Sequence, residues 1–359
     1  MAYDLELGGT ESALVTLLKK LDYNKYEVDL YLEEKKGIYL KEVPPKVNVI
    51  EYKISKNKNI FFRKIKNRLK LIFTILKNKN KYDFSACYAT HLTAGSIMAR
   101  YFSKNNCLWI HSNYYYVYNK DVNKIKEFFA NRKIEKFKSI VLVSEEAKKD
   151  LIRIYPNIQD KCHVINNLID YQKIQRKSRE KISELKPNKP LFINVARQEE
   201  SSKKITRIIN VAKRLKNEKL FCEFWLIGNG RDHELYKSMI NDYQVQNMVK
   251  LLGSKDNPYP YFLLADYFLL TSDYEGFPVV YLEAMILNLP IITTIDVTDN
   301  YFGSISEYGI VVDNDEDDIY NTIKEVIKGK KQINKIFASS EFNAYILEKI
   351  TALIDEKTD

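Results

Sequence analysis

Short β-branched or aromatic runs alternate with longer amphipathic stretches along this chain, and the alternation starts over near its middle. The first series is Val28–Leu32, Val47–Tyr52, Phe84–Tyr88, Cys107–Ile110, Ile140–Val143 and His163–Ile165. After Pro187-Asn188-Lys189-Pro190 it resumes with Leu191–Val195, Glu223–Ile227, Val249–Leu252, Tyr267–Leu270, Ile291–Thr294 and Ile310–Val312. Strands separated by helical stretches pair in parallel and carry helices on both faces of the sheet. The length of 359 residues suits two such cores rather than one. The polar, Lys-rich stretch 171–188 reads as a linker, so the expected fold is α/β, with two doubly wound, Rossmann-like domains facing across a cleft. Residues 1–170 form the first and 189–332 the second. Ligands of such sheets bind beyond the carboxyl ends of the strands, which makes that cleft the default site.

Composition removes several function classes. No apolar run approaches the ~18 residues that a membrane-spanning helix needs. Cys87, Cys107, Cys162 and Cys222 are far apart and form no Cys-x-x-Cys pair, which fits buried thiols in a reducing compartment better than disulfides or zinc. The N-terminus lacks the basic and apolar regions of a secretory signal, so a cytoplasmic protein is expected. The net charge of +10 is concentrated: between Glu51 and Asp83 there is no acid, while Lys53, Lys56, Lys58, Arg63, Lys64, Lys66, Arg68, Lys70, Lys77, Lys79 and Lys81 are basic. Within that segment Phe61, Phe62, Ile65, Leu69, Ile72, Phe73 and Leu76 recur at spacings of three and four, the pattern of a basic amphipathic helix. It either docks on its own domain with a solvated cationic face or lies on an anionic membrane surface through residues 53–81. Nucleic acid is not expected as a partner, because no binding motif accompanies the charge.

Gly8-Gly9 followed by Thr10-Glu11-Ser12 and an apolar helical pattern reads as a glycine turn opening a helix. Such a turn normally follows a strand, yet Asp4 and Glu6 interrupt the segment before it. A short or partly missing first strand is expected, with a start codon upstream as one explanation.

The densest chemical signal runs from Tyr267 to Met285 and reads strand, loop, helix. Pro278 suits a first helical turn and Gly276 a sharp bend before it. The amides of Phe277, Val279 and Val280 would then leave the helix N-terminus unpaired, a diphosphate site. Glu275 precedes this anion site, where it can accept bonds from sugar hydroxyls. Glu283 follows about five residues into the helix, roughly 7 to 8 Å along its axis, a reach from phosphate to ribose. Arg197 and Lys203 follow the first strand of the second domain, where two cations can neutralise a leaving diphosphate without a metal. Gly228-Asn229-Gly230 follows the strand Glu223–Ile227 and permits close backbone approach to a nucleotide, or only a turn. Asp313, Asp315, Glu316, Asp317 and Asp318 precede a helical pattern and complement its dipole rather than a metal.

Glu275-Gly276-Phe277-Pro278 followed by Glu283-Ala284 resembles the paired-glutamate motif of retaining glycosyltransferases of family 4, which have the GT-B fold. Gly8-Gly9, His111, Val143-Ser144-Glu145, Val164 to Asp170, Ala196-Arg197 with Lys203, and Gly228-Asn229-Gly230 match in the same order. The chain departs from the pattern twice. One extra residue separates Arg197 from Lys203, which leaves Lys204 as a neighbouring candidate, and Leu168 stands where the family's hinge has glycine. The resemblance implies transfer of a hexosyl-type sugar from a nucleoside diphosphate sugar, UDP ahead of GDP, with retention and without cofactor or metal. The acceptor it implies is a saccharide or lipid-linked saccharide of capsule, exopolysaccharide or lipopolysaccharide synthesis, held by the first domain. It places His111, Arg197, Lys203 and Glu275 in catalysis. It places Gly8, Gly9, Gly228, Asn229, Gly230, Gly276, Phe277, Pro278, Val279, Val280 and Glu283 around the donor, and residues 333–359 in a helix crossing back to the first domain. A sugar-nucleotide epimerase on the same scaffold and a degenerate nucleotide-sugar-binding subunit are the competing readings. A nicotinamide oxidoreductase is disfavoured, because Gly8-Gly9 does not extend to G-x-G-x-x-G.

Overall fold

The computed structural model describes residues 1–6, 8–52, 54–55, 58–275, 279–296, 298–299, 303–329 and 337–356. The chain divides into two compact units, residues 1–169 with 343–359, and residues 170–342.

The first unit contains strands β1 (Val28–Leu32), β2 (Val47–Glu51), β3 (Phe84–Cys87), β4 (Asn105–Ile110), β5 (Ser139–Leu142) and β6 (Cys162–Val164). Its helices are α1 (Gly9–Lys20), α2 (Ile60–Asn78), α3 (Thr93–Phe102), α4 (Tyr114–Val117), α5 (Val122–Arg132) and α6 (Glu145–Ile154). β1 and β2 form one parallel pair and β3-β4-β5-β6 a four-stranded parallel sheet. β4 and β5 are buried along their whole length, as strands covered by helices on both faces must be. The expected first strand is reduced to a single bridge between Ala2 and Leu32. Met1 and Ala2 still hydrogen-bond both ways: Ala2 N donates to Tyr31 O (3.0 Å) and Tyr88 N donates to Met1 O (2.9 Å). Backbone bonds continue past the bridge, with Glu34 N donating to Tyr3 O (3.0 Å) and Leu5 N to Lys36 O (2.9 Å), while Asp4 turns its carboxylate onto the Glu6 amide (3.2 Å) and toward Lys36 (3.6 Å).

The second unit carries α7 (Tyr171–Lys177), β7 (Leu191–Val195), α8 (Glu200–Lys203), α9 (Ile205–Asn217), β8 (Glu223–Ile227), α10 (His233–Asp242), β9 (Val249–Gly253), α11 (Tyr259–Leu264), β10 (Tyr267–Leu270), α12 (Val279–Ile286) and β11 (Ile291–Thr293). A two-residue antiparallel pair follows, β12 (Thr298–Asp299) with β13 (Gly303–Ser304), then β14 (Gly309–Val311) and α13 (Glu316–Ile327). Its sheet is fully parallel in the order β14-β11-β10-β7-β8-β9, the order of a doubly wound fold with its switch between β7 and β10. Phe192, Phe224, Leu226, Leu269 and Ile292 pack under α9, α10 and α13 in one apolar cluster.

One stretch differs from the sequence reading, and the tail agrees with it. Residues 171–188 are not all connector, because Tyr171–Lys177 is a helix of the second unit: Asp170 caps it (3.0 Å to Lys173 N) and Ile174 is buried. The tail helix α14 (Ser339–Asp355) belongs from Asn343 onward with the first unit. Asn105 Nδ2 donates to the carbonyls of Leu353, Ile354 and Glu356 (3.2, 3.2 and 3.1 Å), capping a helix end that would otherwise leave carbonyls unpaired. Asn343 exchanges two hydrogen bonds with the Ile169 backbone (2.6 and 3.1 Å). The acidic run serves α13: Asp315 accepts from the Asp317 and Asp318 amides (2.7 and 3.1 Å) at its N-terminus.

Candidate active site

Parallel pairing of β7 with β10 brings the loops beyond their carboxyl ends side by side. Hydrogen bonds lock the two together. Asp273 N donates to Ser202 O (2.8 Å), and the buried Thr271 hydroxyl donates to the Lys203 and Lys204 carbonyls (both 3.1 Å). Across that seam Lys203 Nζ meets Glu275 Oε1 at 2.5 Å, and Ser272 Oγ donates to the same oxygen at 2.7 Å. The pair is largely enclosed, with side chains 21% and 13% exposed. Both bonds fall on Oε1, so among the described residues Oε2 remains for a ligand, as do further protons of the ammonium.

The neighbouring cation is committed elsewhere. Lys204, in the left-handed region at φ +49°, pairs with Asp273 (3.3 Å), which Arg207 also holds (2.9 Å). The extra residue between Arg197 and Lys203 is taken up in the short α8, and Lys203 rather than Lys204 stands beside Glu275.

Arg197 lies on the loop after β7 with its side chain 77% exposed and its guanidinium 3.6 Å from Glu199. Arg231, on the loop after β8, reaches the other Glu199 oxygen (3.2 Å) and Ser201 Oγ (2.7 Å). Glu199 thus gathers two arginines at the carboxyl edge of β7 and β8. Arg231 is absent from the expected site because no sequence spacing ties it to Arg197, and only the β7–β8 pairing brings them together.

Gly228 and Gly230 have a steric purpose visible in the backbone. Gly228 sits at φ +137°, and a Cβ there would lie 2.0 Å from Ala196 O; on Gly230 it would lie 2.2 Å from Gln198 O. The two loops exchange Gln198 N to Asn229 O (3.0 Å) and Asp232 N to Gln198 O (3.3 Å). Glycines let these loops touch backbone to backbone. The Asn229 side chain accepts from the Gly230 amide (2.9 Å).

Val279 and Val280 open α12, whose first-turn amides have no intrahelical acceptor. Gly276, Phe277 and Pro278, expected to shape that turn, lie outside the described residues. Glu283 is one turn in, accepting from the Tyr259 hydroxyl at 3.0 Å. Desolvation pushes its pKa up to about 7, with the tyrosine hydrogen bond opposing. Tyr259 is the second site residue that sequence reasoning missed, since it begins α11 well before the motif.

In the first unit, Gly8 caps α1 with extended backbone, and the Glu11 carboxylate folds back so far that a Cβ on Gly8 would meet its Oε2 at 2.1 Å. Gly9 is the first helical residue. Burial raises the Glu11 pKa. His111 follows β4, packs against the Tyr88 ring (4.5 Å between centroids), and has both ring nitrogens enclosed. Desolvation lowers its pKa to about 3, with the Tyr88 backbone and the Asn167 side chain only partly opposing, so the imidazole is neutral near pH 7. It can hydrogen-bond a hydroxyl, but it adds no positive charge. Asn167 and Leu168 of the expected hinge are both buried.

Comparison with known proteins agrees with this geometry. Residues 7–173 match the family described as Glycosyltransferase Family 4, and residues 175–339 match Glycosyl transferases group 1. The N-acetylgalactosamine-N,N'-diacetylbacillosaminyl-diphospho-undecaprenol 4-alpha-N-acetylgalactosaminyltransferase of Campylobacter jejuni is 26% identical over 343 residues, 92% of this chain and 89% of its own. Anabaena HepE, solved in complex with UDP, superposes with a TM-score of 0.70 at 14% identity, over 98% of this chain and 99% of its own. The lipopolysaccharide outer core galactosyltransferase WaaB, solved in its apo form, superposes with a TM-score of 0.65 at 15% identity, over 98% of each chain. With each half matched in order and both sheets in place, the chain belongs to glycosyltransferase family 4 and has the GT-B fold.

Proposed function

We propose that this glycosyltransferase moves a hexosyl-type sugar from a UDP-sugar to a hydroxyl of a lipid-linked saccharide, with retention and without a metal ion, at the inner face of the plasma membrane. The observation that carries the reading is the enclosed Lys203–Glu275 pair beside the N-terminus of α12. Negative charge grows on the diphosphate as the glycosidic bond breaks. Lys203, Arg197 and the amides of Val279 and Val280 stabilise it, the work a metal does elsewhere. Glu275 orients the sugar through its hydroxyls and Glu283 takes the ribose. His111, neutral, accepts or donates one hydrogen bond to a sugar hydroxyl. The departing phosphate oxygen accepts the proton of the acceptor hydroxyl. The donor class is supported by the UDP complex of HepE. The acceptor class is supported by the Campylobacter jejuni relative, whose name specifies a diphospho-undecaprenol-linked substrate. Capsule, exopolysaccharide and lipopolysaccharide assembly are the processes that consume such products.

The test is nucleotide release by the purified protein from a panel of UDP- and GDP-sugars in chelator, with and without undecaprenyl diphosphate-linked saccharides. Expected is acceptor-dependent UDP release and an α-linked product from an α-linked donor, read by NMR coupling constants. Conversion of the nucleotide sugar without acceptor would instead establish an epimerase, and binding without turnover across all acceptors a degenerate subunit.

A further inference from the structure

Helix α2, the basic amphipathic helix of the first unit, is oriented with its apolar stripe outward. Phe61 and Leu69 are 67% and 62% exposed, and Phe73 and Leu76 are each 70% exposed. The opposite, more polar face holds the helix to its unit. Asn67 Oδ1 accepts from Ser55 N (2.7 Å), the Lys70 ammonium lies 5.1 Å from the Tyr52 ring centre, and Leu71 packs on the Tyr31, Tyr52, Met98 and Phe102 cluster. Asn78, the one buried residue of the helix, donates to Thr74 O (2.9 Å). Several inward contacts therefore fix which way the helix faces. At about 100° per residue, Lys64 and Arg68 run along one edge of the exposed stripe and Lys66 and Lys77 along the other. The helix is capped by Asn59, which accepts from the Phe61 and Phe62 amides (3.0 and 3.3 Å), and has no acid in its first turn, where the dipole favours one.

We propose that α2 lies flat in the headgroup region of an anionic bilayer, with Phe61, Phe62, Leu69, Phe73 and Leu76 at the acyl boundary and the flanking cations at lipid phosphates. Charge decides the occupant. An apolar stripe with cations on both edges, in a segment without an acid from residue 52 to 82, complements apolar chains beneath anionic headgroups. A second copy on the same face would bring one cationic border against another with no acid between them. Nucleic acid would satisfy the cations but leave the phenylalanines and leucines without a partner. The inference stands apart from the sugar-transfer reading, since it rests on no residue of the candidate active site.

The experiment is vesicle sedimentation of the full chain at about 0.05 M salt, where the Debye length is still longer than 10 Å. Phosphatidylcholine vesicles are compared with phosphatidylcholine–phosphatidylglycerol vesicles. Expected is partitioning onto the anionic vesicles at least about tenfold above the zwitterionic ones, weakening with added salt. Leu69→Asp/Phe73→Asp should abolish it, and Lys64→Glu/Arg68→Glu should remove the preference for anionic lipid. Both pairs point to solvent, so unchanged melting curves are expected. In a Phe73→Trp variant, the emission maximum should move to the blue with anionic vesicles and not with phosphatidylcholine alone. Failure to sediment, sedimentation indifferent to both double variants, or a dimer in sedimentation velocity that Leu69→Asp/Phe73→Asp dissolves would overturn the proposal. Nucleotide-sugar turnover measured alongside separates the two readings: turnover without vesicle binding removes this one together with the inner-face placement and leaves the sugar transfer standing, and vesicle binding without turnover removes the sugar transfer alone.

Discussion

Lys203 Nζ stands 2.5 Å from Glu275 Oε1, joining two loops whose contact residues are 72 positions apart in sequence. Ser272 shares the same carboxylate oxygen. Such a pair could serve structure alone, since an ion pair between two loops holds them in register. Substitution separates the roles. Lys203→Ala and Glu275→Ala should each reduce transfer by about 100-fold or more, the scale of removing one preorganised stabilising group. Each should cost about 1–3 kcal/mol of stability, because the orphaned partner is left in a largely enclosed place. The exchange Lys203→Glu/Glu275→Lys restores the pair and should restore melting temperature but not transfer, as read by calorimetry beside a UDP-release assay.

Glu283 supplies a pH dependence. Its carboxyl is raised from an ordinary 4.5 to about 7, so between those values the folded chain binds more protons than the unfolded one. Stability from this group is therefore present below about pH 4.5 and declines as pH rises through about 7. Wild type and Glu283→Gln should melt alike at pH 5, and the variant should melt higher at pH 8. The proposed ribose contact uses the carboxylate as acceptor, so wild-type UDP affinity should rise across pH 6 to 8 by calorimetric titration and stay flat in Glu283→Gln. Tyr259→Phe removes a hydrogen bond that favours ionisation and should move that rise to higher pH.

Glycine substitutions should divide by space. Gly228→Ala forces a side chain at φ +137° against Ala196 O, 2.0 Å away, whereas Gly253 at φ +67° has nothing within 4 Å of its Cβ position. Gly253→Ala should cost about 1 kcal/mol, the penalty of the left-handed region alone. Gly228→Ala should cost at least about 3 kcal/mol, because backbone strain adds to a backbone clash. Urea denaturation of both variants checks the order.

Asn105→Ala tests the attachment of α14. Its amide donates to three helix-end carbonyls, so its removal should cost about 1–3 kcal/mol and speed hydrogen exchange in residues 346–356 relative to α3. Unchanged exchange there would mean that apolar packing, with Ile346, Ile350 and Leu353 buried, holds the helix without this cap.

Much of this protein was legible in its residues because the signals are local. Strand runs such as Leu191–Val195 and Glu223–Ile227 occur where alternation and β-branching place them, since a parallel strand covered on both faces must be continuously apolar. Glu275, Glu283 and the cations after β7 were marked by spacing within single strand–loop–helix units. Periodicity also showed that α2 is amphipathic, because which residues share a helix face follows from 3.6 residues per turn. Periodicity is silent on where a face points. Only the tertiary contacts of Asn67, Lys70 and Leu71 turned the apolar stripe outward. The same holds for each pairing across the sheet. Lys203 rather than Lys204 beside Glu275, Arg231 with Arg197 on Glu199, and Tyr259 on Glu283 join side chains from separate βα units. Their proximity is set by strand order and loop contact, which no spacing along the chain encodes.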